Sequence, residues 1–189
     1  MSWGGFKLGG KTAKELNLIM GYDSERPVAP ETRDYLMEIP GKPGAWDFGA
    51  DREALSFNLV CGVFQKDRAS LQQTLRNLAS HLFDEHGKPR TMKLIFEYEP
   101  NKYYNTRYSG SLPIDRIIGY GQFTLPLTAF DPDAYSTITN DEILWGSEII
   151  TFRDDYLMGT TGGQTYDITR SQIVTVTVNG NRSLRPMFV

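Results

Sequence analysis

Apolar residues in this chain come in short runs broken by Gly, Pro, Asn and Asp, which is the pattern of antiparallel β structure. The clearest runs are Met92-Lys93-Leu94-Ile95-Phe96-Glu97-Tyr98 and Ile173-Val174-Thr175-Val176-Thr177-Val178, where apolar or β-branched residues alternate with polar ones. Strands are expected at Phe6–Leu8, Leu16–Tyr22, Asp34–Ile39, Ala54–Cys61, Thr91–Tyr98, Tyr103–Tyr108, Ile114–Leu125, Ile143–Thr151, Thr165–Thr169, Ile173–Val178 and Leu184–Val189. One segment departs from this. Between Asp67 and Phe83, Leu71, Leu75, Leu78 and Leu82 form a single helical stripe. Asp67 is placed to cap that helix, and Gly87 with Pro89 closes it. The reading is a mainly β chain with one amphipathic helix lying across a sheet.

The chain has 189 residues, 40% hydrophobic and 23% charged, enough for a packed core in one good-sized domain or one domain plus part of another. A net charge of −3 gives no overall pull toward nucleic acid or anionic membrane. The charge is unevenly spread: residues 131–155 hold seven carboxylates against the single Arg153. That shift places a domain boundary near Phe130-Asp131-Pro132-Asp133. The lone Cys61 lies in an apolar run and excludes an intrachain disulfide, which fits folding in a reducing cytoplasm. Met1–Gly10 lacks the charged and apolar regions of a targeting signal, and no apolar stretch is long enough for a membrane-spanning helix.

Gly5-Phe6-Lys7-Leu8-Gly9-Gly10-Lys11-Thr12 fits the phosphate-loop formula. The chemistry needs a buried strand before the loop, a helix after it and a parallel sheet, and only four residues precede Gly5. A short hairpin turning at Gly9-Gly10 is the better reading. His81 and His86, beside Asp84 and Glu85, lack a further His or Cys cluster for a metal and read as a solvent-facing helix end. No Gly-x-Ser-x-Gly elbow is present, and Cys61 reads as a buried, inert thiol. Glu97/Glu99 and Asp131/Asp133, spaced by two, read as solvated strand faces rather than catalytic pairs. Trp46, Trp145 and Tyr103-Tyr104 could stack on sugars, which keeps open a carbohydrate-binding β-sandwich as the alternative function. No catalytic, cofactor or metal residue is assigned.

Arg33-Asp34-Tyr35-Leu36-Met37-Glu38-Ile39-Pro40-Gly41-Lys42-Pro43-Gly44-Ala45-Trp46-Asp47-Phe48-Gly49 reads as a hairpin, with Pro40-Gly41 and Gly44 making the reversal. The segment resembles the stretch of distal tail proteins in which a strand ends in an apolar residue, Pro, Gly, a basic residue, any residue and Gly. The opening Phe-x-Leu-Gly-Gly with Glu15-Leu16-Asn17-Leu18 is similar to that family's first hairpin. Strand 54–63, helix 67–83 and strand 91–98 follow in the family's order. Phe130-Asp131-Pro132-Asp133-Ala134-Tyr135-Ser136 sits where the family closes its N-terminal domain. Val178-Asn179-Gly180-Asn181 through Arg185-Pro186-Met187-Phe188-Val189 resembles the entry to its galectin-like domain. Lys42-Pro43 departs from the family's Arg and polar residue, and the sequence stops where a second domain would begin.

The resemblance implies a tail-tube-like antiparallel β-sandwich that forms a homohexameric ring at the tail tip of long-tailed bacteriophages. Such a ring joins the tail-tube protein to the tail-associated hub protein, leaves a channel for DNA, and in many relatives carries receptor-binding parts. It implies a virion protein assembled in the host bacterial cytoplasm, with no catalysis, cofactor, membrane partner or sequence-specific nucleic-acid binding. The expected divisions are a ring domain at 1–135, an extended hairpin arm and connection at 136–178, and the start of a truncated galectin-like domain at 179–189. The arm is expected to pair Ile143-Leu144-Trp145 with Glu148–Phe152 about Gly146-Ser147.

Overall fold

A computed structural model describes residues 5–117, 120–137 and Ser171. The chain divides into two units, Met1–Thr137 and Ile138–Val189. The strands expected at Ile143–Thr151, Thr165–Thr169, Ile173–Val178 and Leu184–Val189, the arm and Trp145 all lie outside the described residues.

The first unit opens with β1 (Phe6–Leu8), β2 (Lys11–Thr12) and β3 (Ile19–Met20), followed by a separate pair, β4 (Thr32–Glu38) and β5 (Ala45–Arg52). The long β6 (Leu55–Phe64) leads into helix α1 (Arg68–Leu82). Then come β7 (Thr91–Phe96), β8 (Glu99–Tyr108), β9 (Ile114–Ile117), β10 (Tyr120–Ala129) and β11 (Tyr135–Ser136). All strands but β4 and β5 join one nine-stranded sheet among the described residues, in the path β2-β1-β7-β8-β10-β6-β3. Every pairing among the described residues is antiparallel. The spine is an unbroken ladder of β10 on β6, from Tyr120 opposite Phe64 to Ala129 opposite Leu55. The other edge of β10 is shared, with β9 along Tyr120–Phe123 and β8 at Leu127–Thr128. A twisted sheet this wide curls, and the fold class is mainly β and sandwich-like, with one helix among the described residues.

Period-two alternation fixes which face is buried. On β6, Leu55, Phe57, Leu59, Cys61 and Val63 point inward; on β10, Phe123, Leu125, Leu127 and Ala129 meet them. The helix stripe Leu71, Leu75, Leu78 and Leu82 closes this core. Two buried hydroxyls are satisfied: Thr74 Oγ1 donates to the Ser70 carbonyl (3.0 Å), and Thr106 Oγ1 donates to the Met92 carbonyl (3.2 Å). The Asp67 carboxylate accepts the Ser70 amide hydrogen at 2.7 Å and starts the helix. After Phe83, the Asp84 carboxylate accepts from the amides of His86 (2.9 Å) and Lys88 (2.7 Å), turning the chain through Gly87 into β7.

Four strand expectations need correction. Leu16–Tyr22 is mostly not a strand: residues 13–17 form a hydrogen-bonded turn, and only Ile19–Met20 pairs with β6. The turn starts with a reciprocal cap, since Thr12 N donates to the Glu15 carboxylate (2.7 Å) and Glu15 N to Thr12 Oγ1 (3.2 Å). It ends with Asn17 at φ 55°. Ile114–Leu125 is two strands, because Arg116 pairs back on Gly121 in a hairpin. Thr91–Tyr98 ends at Phe96, and β8 begins at Glu99 rather than Tyr103.

Asp67 and Glu15 are both held below the usual carboxylate range, chiefly by the backbone amide hydrogen bonds from Ser70 and Thr12. A depressed folded pKa gives stability that is complete above the unfolded value and lost as pH falls through the folded one, here below about pH 4. The melting temperature is therefore expected to drop between pH 5 and 3. Asp67→Asn keeps a capping acceptor but cannot titrate, so it should flatten part of that drop. An unchanged slope in this variant would remove Asp67 from the acid response.

Candidate assembly surface

The segment 31–53 stands apart from the sheet as a two-stranded ribbon. Its base is closed by the Glu53 amide donating to the Glu31 carbonyl (2.8 Å) and by the Arg33–Glu53 ion pair (2.6 Å). Arg52 ties it to Asp133 at 2.7 Å. The tip is a turn over Ile39-Pro40-Gly41-Lys42, with Lys42 N bonded to the Ile39 carbonyl at 3.0 Å. Pro40 fixes the first corner, and Gly41 at φ 83° supplies the positive φ of the second. A bulge at Phe48-Gly49 faces Tyr35, with Gly49 at φ 98° and its amide donating to Asp47 Oδ1.

Every residue of β4 and β5 is exposed, yet the ribbon is two-sided. Paired residues share a face. Arg33 with Asp51 and Met37 with Trp46 lie on one side, and alternation puts Tyr35 and Phe48 there too. The opposite side carries Thr32, Asp34, Leu36 and Glu38 against Arg52, Ala50, Asp47 and Ala45, and is largely polar. Among the described residues the first face is therefore an aromatic strip with no cover: Phe48 is 63% exposed and Met37 54%. At the tip Lys42 Nζ lies 4.2 Å from the Trp46 ring centre. At the base the Tyr35 hydroxyl donates to Asp51 (3.0 Å), and that bond pushes its pKa up.

The other residues singled out in the sequence fall elsewhere. Gly5–Thr12 is a hairpin, with Leu8 opposite Lys11 and Gly9 and Gly10 at φ 57° and 85°, the two-residue turn that needs positive φ at both positions. No helix with a free N-terminus follows for a phosphate, because the Glu15 carboxylate takes the Thr12 amide. Lys11→Ala should shift stability by about 0.5 kcal/mol or less, and titration calorimetry should find no ATP or GTP binding. Saturable nucleotide heat lost in that variant would contradict this.

His81 is not solvent-facing as expected: its Nε2 lies 2.8 Å from the Leu8 carbonyl and pins the helix to β1. His86 sits exposed in the next loop, 3.6 Å from Glu85. Cys61 is fully buried on β6, which pushes its thiol up to about 12. The carboxylate pairs do not share strand faces. Glu97 lies in the turn after β7 and accepts from the Gly5 amide (2.7 Å), while Glu99 pairs with Lys102 (2.7 Å). Asp131 accepts from the Tyr135 hydroxyl, and Asp133 holds Arg52. Nor do the aromatics form one platform: Tyr103 stacks on Tyr135 under Lys93, and Tyr104 packs edge-on against Phe57 in the core.

The curled antiparallel sheet plugged by helix α1, with its projecting ribbon, has the fold of a known phage tail component. The SPP1 Dit protein (gp 19.1), described as a paradigm of the hub adsorption apparatus in phages infecting Gram-positive bacteria, superposes with a TM-score of 0.61 at 16% identity. The match covers 70% of this chain and 52% of that one, so the chain spans about half its length. No curated protein sequence matches. Residues 11–129 match the profile of the phage tail protein RIFT-related domain, and the chain belongs to that family. It is a structural protein of the phage tail.

Proposed function

We propose that this chain is the ring builder of a siphophage tail tip. Copies assemble into a homohexamer that joins the tail tube to the tail-tip hub and leaves a channel for DNA. The observation that carries the reading is the ribbon 32–52, an aromatic strip on a backbone tied down at its base and, among the described residues, bare along its length. Monomeric proteins rarely leave such a strip in water, and surfaces of this kind mark protein contacts. The fold shared with SPP1 Dit and membership of the phage tail family support the same reading. The tail-tube and hub proteins are the proposed partners above and below the ring, and receptor-binding parts are a further load it would carry. The role proposed is structural, with no reaction and no cofactor. Negative-stain images of the purified chain should show annuli with a central hole. Fields of single small particles at every concentration would overturn the ring.

A further inference from the structure

We propose that the aromatic face of the ribbon in one copy seats on the Ile19–Phe64–Tyr120 patch of the next copy; this rests on the ring reading above. A closed ring needs two different surfaces on each chain, one to give and one to receive. The ribbon supplies the first. Tyr35, Met37, Trp46 and Phe48, each about half exposed, present roughly 400 Å² of apolar surface, about half of one partner's share of a standard interface.

The receiving surface is on the outer face of the sheet at its β3 edge. Ile19 pairs with Gly62, and Tyr120 pairs with Phe64 two residues on, so all four lie on the face opposite Cys61 and Val63. Phe64 and Ile19 are 63% and 58% exposed, and the Phe64 and Tyr120 rings touch at 4.6 Å between centres. Gly62, without a side chain, lets the Tyr120 ring lie flat against the sheet beside Phe64. A Cβ there would meet the Tyr120 ring at 3.4 Å and the Ile19 carbonyl at 3.9 Å. Because β3 is only two residues long, Val63 and Phe64 pair with β10 alone among the described residues.

The remaining exposed aromatics of the body are already served. Arg26 lies 5.1 Å from the Tyr98 ring centre, Arg107 lies 4.4 Å from Phe130, and Lys93 lies 4.3 Å from Tyr103, which stacks on Tyr135. Tyr22 and Val28 stand singly on the loop after β3. The Phe64–Tyr120 pair has no cation over it among the described residues, which leaves it suited to an apolar occupant.

The test uses two full-length variants, Phe48→Asp on the ribbon and Phe64→Asp on the patch, measured by light scattering. A carboxylate in either surface would be buried without a partner, so each variant alone should lose at least about tenfold in association and run as a monomer. Mixed together they should form dimers and nothing larger. The intact ribbon of Phe64→Asp fits the intact patch of Phe48→Asp, and no second contact remains. Dimer formation also shows that both variants are folded. If wild type assembles but either variant still does, or the mixture stays monomeric, the docking is wrong and the ring reading stands. If wild type itself stays monomeric, both fall.

Discussion

Replacing Phe57 by alanine is expected to cost the first unit about 3–5 kcal/mol, a large share of the stability of an ordinary domain. Phe57 is 2% exposed near the start of β6. Its ring meets Phe96 of β7 edge-on at 5.7 Å and Tyr104 of β8 at 5.1 Å. β6 and β7 are not neighbours in the sheet, being separated by β8 and β10, so this ring holds the curl together from inside. Truncation leaves a cavity against side chains of two other strands, and those strands cannot close it without breaking their own pairing. Urea denaturation followed by circular dichroism measures the loss. A cost under about 1 kcal/mol would mean that the core is not packed as described.

The second large effect should appear in assembly alone. Excising residues 33–51 and bridging the gap with a short glycine link should leave the melting temperature within about 3 °C of wild type, because exposed residues contribute little. The ends are already together, since Glu53 N bonds to the Glu31 carbonyl at 2.8 Å. The Arg52–Asp133 tie is outside the cut. The shortened chain should nevertheless fail to assemble at concentrations where the full chain does. If the excised protein unfolds, the ribbon belongs to the folding unit. If it still forms rings, the ribbon is not a subunit contact.

The parts of the fold that were legible in sequence are those governed by local rules. The Leu71-Leu75-Leu78-Leu82 stripe gives the helix and its buried side, Asp67 gives its cap, and Gly9-Gly10 gives the first hairpin. The Arg33–Gly49 hairpin was equally legible, but its exposure was not. Tyr35, Met37, Trp46 and Phe48 alternate as they would on a buried face, and alternation does not say whether the cover comes from the same chain. The turn at 13–17 had a signal that strand-like Leu16 and Leu18 masked: Thr12 and Glu15 at capping-box spacing. The break between β9 and β10 lies in an apolar run, where strand propensity reads through the reversal. His81 was misjudged because its acceptor, the Leu8 carbonyl, is brought in by a strand far away in sequence.

Self-assembly would run through a surface that the described fold leaves exposed. Multi-angle light scattering on the full chain across a concentration series tests this most directly. A closed hexamer would plateau at about six times the 21.4 kDa chain mass and stay there as concentration rises. A mass that remains at one chain into the high micromolar range would contradict the account.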